Sequence, residues 1–422
     1  MGRGLILSAP GSGAGKTTLT LGILRALRRH GVRVRGAKSG PDFIDPRFHE
    51  AATGEPCPNL DAWAMGPGRI ADLAAGEGLL LIEGAMGLFD GAPDGRGATA
   101  DLARILGLSV VLVVDAGAMA QSVAPLVAGF ARHDPQVRVA GVILNRVGSP
   151  RHEAMLRRAL APLGFPVTGA VPRRTTLSHP SRHLGLVQAG ERADLEGFLD
   201  HAADTIEGCI DLAALADLAC PLPQGPGTPA LPPPAQSIAI ARDEAFAFTY
   251  PHLLADWRRA GADIAFFSPL ADEAPPRADL ILLPGGYPEL HAGRIAAAQT
   301  FLTATRKAAE TAQVHGECGG YMVLGEGLTD ATGERHAMLG LLPLETSFAE
   351  RRLHLGYRHL SATAGPFPGR WRGHEFHYAT TLRALGTPLY AASDAEGMTL
   401  PPMGLVRGNV SGSFAHLIDR ED

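Results

Sequence analysis

A chain of 422 residues, 45% hydrophobic and 19% charged, is long enough for roughly two or three domains and needs no disulfide or metal to hold its cores. Its 38 basic and 43 acidic residues leave a formal charge of −5 with no basic stretch, which excludes a nucleic-acid binder built on phosphate neutralisation. Cys57, Cys209, Cys220 and Cys318 form no CxxC pair and no secreted disulfide framework. The apolar start MGRGLILSAPGSG leads into a glycine loop rather than a signal peptide. The long apolar stretch 109–130 is interrupted by Asp115 and Gln121, as a buried strand followed by a helix would be, so no membrane span and a soluble cytoplasmic protein are expected.

In chain order, 4–9 reads as a strand and 16–30 as a helix stopped at Gly31. Short β-rich runs follow at 32–38, 79–83, 110–115 and 139–145, with helix-like stretches near 98–107, 119–132 and 151–163. Near-continuous apolar strands alternating with helices predict a parallel sheet covered on both faces. The proline-rich run 221–236, PLPQGPGTPALPPPAQ, is a linker. Strand candidates resume at 237–241, 264–267, 280–283 and 313–315. The expected architecture is two α/β domains, 1–220 and 237–422, on either side of that linker.

SAPGSGAGKTTLT (8–20) lies between a strand and a helix, where backbone N–H groups and the helix start can cradle phosphates. Gly11, Ser12, Gly13, Ala14, Gly15, Lys16, Thr17 and Thr18 are the candidate ATP-binding residues. Lys16 would reach the outer phosphates and Thr17 would ligate Mg²⁺. Pro10 stands where the strict GxxxxGK[ST] pattern has glycine, so the loop is a variant. A metal also needs an acid, and two strands end in one, at Glu83 and Asp115. Glu83 is favoured because EGAMGLFDG continues into a glycine-rich loop carrying Asp90. KSGPDFIDPRF (38–48) follows the second strand and should emerge at the same sheet edge. Lys38, Asp42 and Asp45 there suit substrate positioning, and Asp45 also suits the metal, although aspartates beside prolines are equally good turn residues. Asn145 ends a strand, as an adenine reader or as a strand-end cap.

In the second half, AQVHGECGGYMVLG (312–325) has the strand, small-residue turn and helix of a nucleophile elbow, with Cys318 at its tip. The helix start is expected to depress the thiol pKa. LLPGGYPE (282–289) offers the backbone N–H of Gly286, which with that of Gly319 would make an oxyanion hole. Two regions compete to supply the base, His416 in GSFAHL and the histidines of HEFHY (374–378).

LLPGGYPE, GECGGYMVLG and GSFAHL resemble a class I glutamine amidotransferase domain, with a flavodoxin-like sheet. That resemblance implies Cys318 as nucleophile and His416 as its base. Many such domains carry a glutamate two residues after the histidine, where this chain has Ile418, which implies a Cys–His dyad or an orienting group from elsewhere. The first half resembles the dethiobiotin-synthetase-like P-loop fold, in which Asn145 would face adenine. Both halves in this order, with KSGPDFIDP, EGAMGLFDG and HEFHY, look like the cobyrinic acid a,c-diamide synthase family. The resemblance implies MgATP-dependent activation of two acetate side chains of a corrin polycarboxylate as acyl phosphates. Each would then be amidated by ammonia from glutamine, with HEFHY shaping the domain interface or the site entrance. P-loop domains of this type often pair, so a homodimer is open. So are two other readings, a cobyric acid synthase that amidates other corrin carboxylates, and a P-loop ATPase switch with an inactive amidotransferase domain. The first lacks the GPDFIDP signature. Against the second stand intact Cys318 and His416, and Gly11 where such switches carry a lysine.

Overall fold

The computed structural model describes residues 2–173, 181–182, 185–186, 188–225 and 227–421. Two compact units divide the chain, Met1–Thr228 and Pro229–Asp422.

In the first unit, apolar runs form parallel strands β1 (Arg3–Ser8), β2 (Val34–Ser39), β3 (Asn59–Leu60), β4 (Leu79–Glu83), β5 (Val110–Asp115), β6 (Val139–Val147) and β7 (Val167–Pro172). Their order is β3-β2-β4-β1-β5-β6-β7. Leu5, Ile6 and Leu7 of β1 and Val111–Val114 of β5 are fully shielded. Each such side chain contributes about 1.5–3 kcal/mol of apolar burial. That explains why the central strands show no polar alternation. Register then lines up the strand ends. Lys38 pairs with Glu83, Leu7 with Glu83, and Asp115 with Asn145, so the polar residues closing these runs share the carboxyl edge of the sheet.

Helix α1 (Lys16–Arg29) follows β1 as expected and ends before Gly31, whose φ is 75°. The expected helices near 98–107, 119–132 and 151–163 are Thr99–Leu106, Val123–His133 and Pro150–Leu160. Sequence reading missed α2 (Asp45–Thr53), because its entry looks like a proline turn. Asp42 lies just before it, its Oδ1 accepting from Ile44 N at 2.7 Å and Asp45 N at 3.0 Å in the turn that leads into the helix. Among the described residues, no helix is long and apolar enough to cross a membrane.

The second unit has parallel strands ordered Asp263–Phe267, Ser237–Ala241, Leu280–Leu283, Gln313–Glu317, Val410–Ser413, with Leu405–Arg407 added antiparallel. In chain order the parallel five run 2-1-3-4-5, the flavodoxin-like arrangement, so the two-domain α/β class holds for both halves. An antiparallel five-stranded sheet was not anticipated. It runs Thr399–Met403, Tyr390–Asp394, His354–Ala362, Gly369–His377, Ala415–Arg420. Segments such as HLGYRHLSA are half-buried and mostly polar, so no apolar run announces them. HEFHY closes Gly369–His377, and His416 lies on Ala415–Arg420 beside it, paired in register with His374.

Candidate active sites

At the edge of the first sheet, Gly13 and Gly15 take φ values of 78° and 86°, which lets the loop between β1 and α1 fold back on itself. Lys16 Nζ donates to Gly11 O at 3.3 Å and to the carbonyl of Met86. Burial pulls its pKa down, while Glu83 holds it up. Thr17 Oγ1 donates to Glu83 Oε1 at 2.6 Å and lies 3.3 Å from Asp45 Oδ2. Lys38 Nζ lies between the same two carboxylates, donating to Asp45 and, at 2.8 Å, to Glu83. Burial alone would raise Glu83, but the Lys38 ammonium and the hydrogen bond from His49 hold it below the usual carboxylate range. Burial and Asp42 push Asp45 up to about 6 against the pull of Lys38. The donor set of one hydroxyl and two carboxylates is that of a hard cation.

The structure gives several predicted residues other occupations. Lys38 is a buried counter-ion of the two acids, and Asp42 is half-buried with its Oδ1 engaged by backbone N–H groups at the start of α2. Asn145 Nδ2 donates to Ala14 O at 2.8 Å and its oxygen accepts from Arg146 N at 2.9 Å. The amide therefore buttresses the phosphate loop with the groups an adenine edge would need. Asp115 pairs with Arg146 rather than with the loop. Asp90 Oδ2 accepts from Gly87 N at 2.9 Å. With Pro10, Phe89, Leu126, Phe130 and His133 it lines a mostly apolar cavity of about 430 Å³. Ser12 and Gly13 are exposed and Thr18 is half-buried.

One residue here went unread. His49 Nε2 is 2.7 Å from Glu83 Oε2, and its Nδ1 is 3.5 Å from Cys57 Sγ. All three side chains are shielded, so Glu83 is held from both oxygens. The spacing of Asp45 and His49, one helical turn apart, was the available signal, but it appears only once α2 is known to be a helix.

In the second unit, Cys318 sits between strand Gln313–Glu317 and helix Gly319–Leu324 with φ 47° and ψ −104°, the strained backbone of an elbow. A Cβ added at Gly320 would lie 1.8 Å from Leu283 O, and one at Gly316 would lie 2.6 Å from Gly320 C, so small residues are obligatory on both sides of the turn. A Cβ at Gly319 would come within 3.1 Å of Gly286 N, so the two proposed oxyanion donors are neighbours. A Cβ at Gly285 would meet His416 Cε1 at 2.3 Å, His416 Nε2 at 2.9 Å and Cys318 Cβ at 3.3 Å. The Nε2–Cε1 edge of the imidazole and the Cβ of Cys318 thus both lie beside Gly285. On the ring's other side, Nδ1 lies 3.6 Å from Glu317 Oε2.

The expected depression of the thiol pKa is overturned. Burial and the Glu289 carboxylate push Cys318 well up, against a hydrogen bond from the Gly319 N–H, and Glu375 and Glu317 add to the rise. A helix of six residues is too short to outweigh them. A thiol raised in this way needs a base before it can act as a nucleophile.

HEFHY passes directly over the nucleophile, with Cys318 Sγ 3.9 Å from Phe376 O. Burial, with His416 and Arg358 nearby, pushes His374 down to about 3 and keeps it neutral. Glu375 would be raised by burial, but His377 at 2.9 Å and Arg358 at 2.7 Å reverse that and hold it ionised. His354, Glu375 and His377 bring ligand atoms within 4.8 Å of one another. The two imidazoles stack at 4.6 Å and 6° rather than converging on a point, and Glu375 answers Arg358.

Gly285→Ala is expected to displace His416 by about 1 Å and to lower glutamine hydrolysis by on the order of 10²-fold. Amidation with free ammonia should be unchanged, and steady-state assays with each nitrogen donor read both.

Residues 5–187 match the CobQ/CobB/MinD/ParA nucleotide binding domain, and residues 237–422 match the CobB/CobQ-like glutamine amidotransferase domain. Among curated proteins, the chain is 57% identical to a hydrogenobyrinate a,c-diamide synthase of Rhizobium meliloti, over 99% of each chain. It is 56% identical to the proteins of that name from Brucella anthropi and Rhodobacter capsulatus, over 99% of this chain and 98% of each relative.

Proposed function

This chain belongs to the hydrogenobyrinate a,c-diamide synthase family of ATP- and glutamine-dependent carbon–nitrogen ligases, and from that premise we propose that it amidates the a and c acetate groups of hydrogenobyrinic acid. One observation carries the reading. A glycine loop beside Glu83 and Asp45, and an elbow at Cys318 that shares Gly285 with His416, occur in the same chain, one in each unit.

In this mechanism a substrate carboxylate oxygen attacks the γ-phosphorus of ATP, and ADP leaves from an acyl phosphate. Lys16 moves from its carbonyl partners onto the phosphates and balances the charge that develops there. Thr17, Asp45 and Glu83 fit Mg²⁺, which when bound supplies further charge neutralisation. In the second unit, His416 takes the thiol proton as Cys318 attacks the glutamine amide carbon, and the Gly286 and Gly319 N–H groups receive the oxyanion. Collapse of that intermediate releases ammonia and leaves a glutamyl thioester, which water hydrolyses. Ammonia displaces phosphate from the acyl phosphate, and the cycle repeats on the second acetate.

The synthetase unit, 1–220, and the amidotransferase unit, 237–422, would thus divide the work. Phe89, Phe130 and the rest of the apolar cavity beside Asp90 offer a wall for the macrocycle. ATP and glutamine as substrates fit a cytoplasmic setting, and pairing of P-loop domains predicts a homodimer, which a solution mass measures.

Hydrogenobyrinic acid, ATP, Mg²⁺ and glutamine incubated with the pure protein should give the diamide by mass spectrometry, with cobyrinic acid as the metallated comparison. Amidation at other side chains would transfer the protein to the cobyric acid synthase reading. Because a metal takes the ionised carboxylate and Asp45 titrates at about 6, the apparent affinity for Mg²⁺ should weaken below that pH. One proton per metal gives about tenfold per pH unit, and a titration of activity against Mg²⁺ at several pH values measures it.

A further inference from the structure

A Cys–His pair needs something to hold the imidazole in one orientation and tautomer, and the usual place for that acid, two residues after His416, is occupied by Ile418, which is fully buried. Among the described residues, the acid that faces the far side of His416 comes from a different strand. Glu317 is the last residue of Gln313–Glu317 and pairs in register with Ser413, three positions before the histidine. Its Oε1 accepts from Leu417 N at 3.2 Å, which fixes the carboxylate against the backbone of the residue next to His416. Its Oε2 is then 3.6 Å from His416 Nδ1. That is ion-pair distance, slightly longer than a hydrogen bond. The opposite edge of the ring, Nε2 and Cε1, faces Gly285, which Cys318 Cβ also adjoins.

We propose that Glu317, the residue directly before the nucleophile, is the positioning acid of the glutaminase. Cys318, His416 and Glu317 form a triad whose acid precedes the cysteine instead of following the histidine. Glu317 accepts a hydrogen bond from His416 Nδ1–H, which leaves Nε2 free to take the Cys318 proton, and its charge stabilises the imidazolium that results. The other titratable groups around His416 do not compete for this role. His374, across the strand pair, is held neutral by burial, and Glu375 is engaged with Arg358 and His377. Tyr390, whose phenol burial and Glu317 together push up, stays protonated, and Glu289 acts on the thiol. One arrangement thereby serves two ends, because the elbow that strains Cys318 also delivers the acid one residue earlier.

The inference rests on the reading of Cys318 and His416 as the glutaminase pair, and the test separates the two. Glu317→Gln keeps an oxygen that can accept from Leu417 N–H and removes only the charge. Expected are a kcat for glutamine hydrolysis lowered at least tenfold, toward the roughly 10²–10⁴-fold that positioned acid–base catalysis supplies, an unchanged KM for glutamine, and unchanged ammonia-dependent amidation. Glu317→Asp retains the charge with a shorter reach and should recover part of the lost kcat. If folded yield falls, single-turnover hydrolysis normalised to alkylatable Cys318 carries the same comparison. A wild-type kcat in Glu317→Gln, or equal losses in the Gln and Asp variants, overturns the orienting role. Glutaminase activity that survives Cys318→Ala would instead overturn the reading beneath it.

Discussion

Cys318→Ala should abolish glutamine-dependent amidation while amidation from ammonium salts continues at the wild-type rate. Removal of a nucleophile whose base and oxyanion donors remain in place costs on the order of 10⁴-fold or more, since the remaining groups have no covalent step to assist. That is about 5 kcal/mol or more of transition-state stabilisation. The substitution is small and leaves no buried charge behind, because the thiol is held protonated by its surroundings. The packing of Leu283, Gly316 and Gly320 around the elbow is untouched. Product formation with each nitrogen donor, measured on the same preparation, checks the result. If the variant keeps its glutamine-dependent rate, the elbow is not the source of ammonia.

Lys16→Ala should behave in the complementary way, losing amidation with either donor and retaining basal glutamine hydrolysis. The ammonium donates to two carbonyls, Gly11 O and Met86 O, which water can serve once it is removed, so the fold should tolerate the change. What is lost is the cation carried by the phosphate loop itself, because Lys38 is held between Asp45 and Glu83 and cannot substitute for it. A loss of about 10³-fold, or ~4 kcal/mol, is expected in the ATP-dependent step. ADP release with the corrin present and glutamate release without it are the two readouts. Intact amidation would remove the loop from the mechanism.

How far the sequence could be read follows from the range of each interaction. The phosphate loop, the elbow at Cys318 and the apolar strands are local patterns, set by residues a few positions apart, and they survive as motifs wherever the chain folds. The antiparallel sheet was invisible because its strands are half-exposed and polar, and α2 was hidden by a proline entry whose turn Asp42 holds at the start of the helix. The thiol pKa was misjudged for a related reason. The helix start is local, while burial by the surrounding fold, and after it the Glu289 carboxylate from a distant segment, push the Cys318 thiol up.

By itself the sequence determined the two α/β halves, the glycine loop after β1 and the elbow at Cys318, since glycine placement and apolar runs leave few alternatives for the backbone. Tertiary structure alone decided which polar groups meet. Strand register sets Lys38 opposite Glu83, helix α2 brings His49 to Glu83, and the strand beside the elbow places Glu317 against His416. These encounters join residues far apart in the chain, and only the packing that buries the strands brings them within reach.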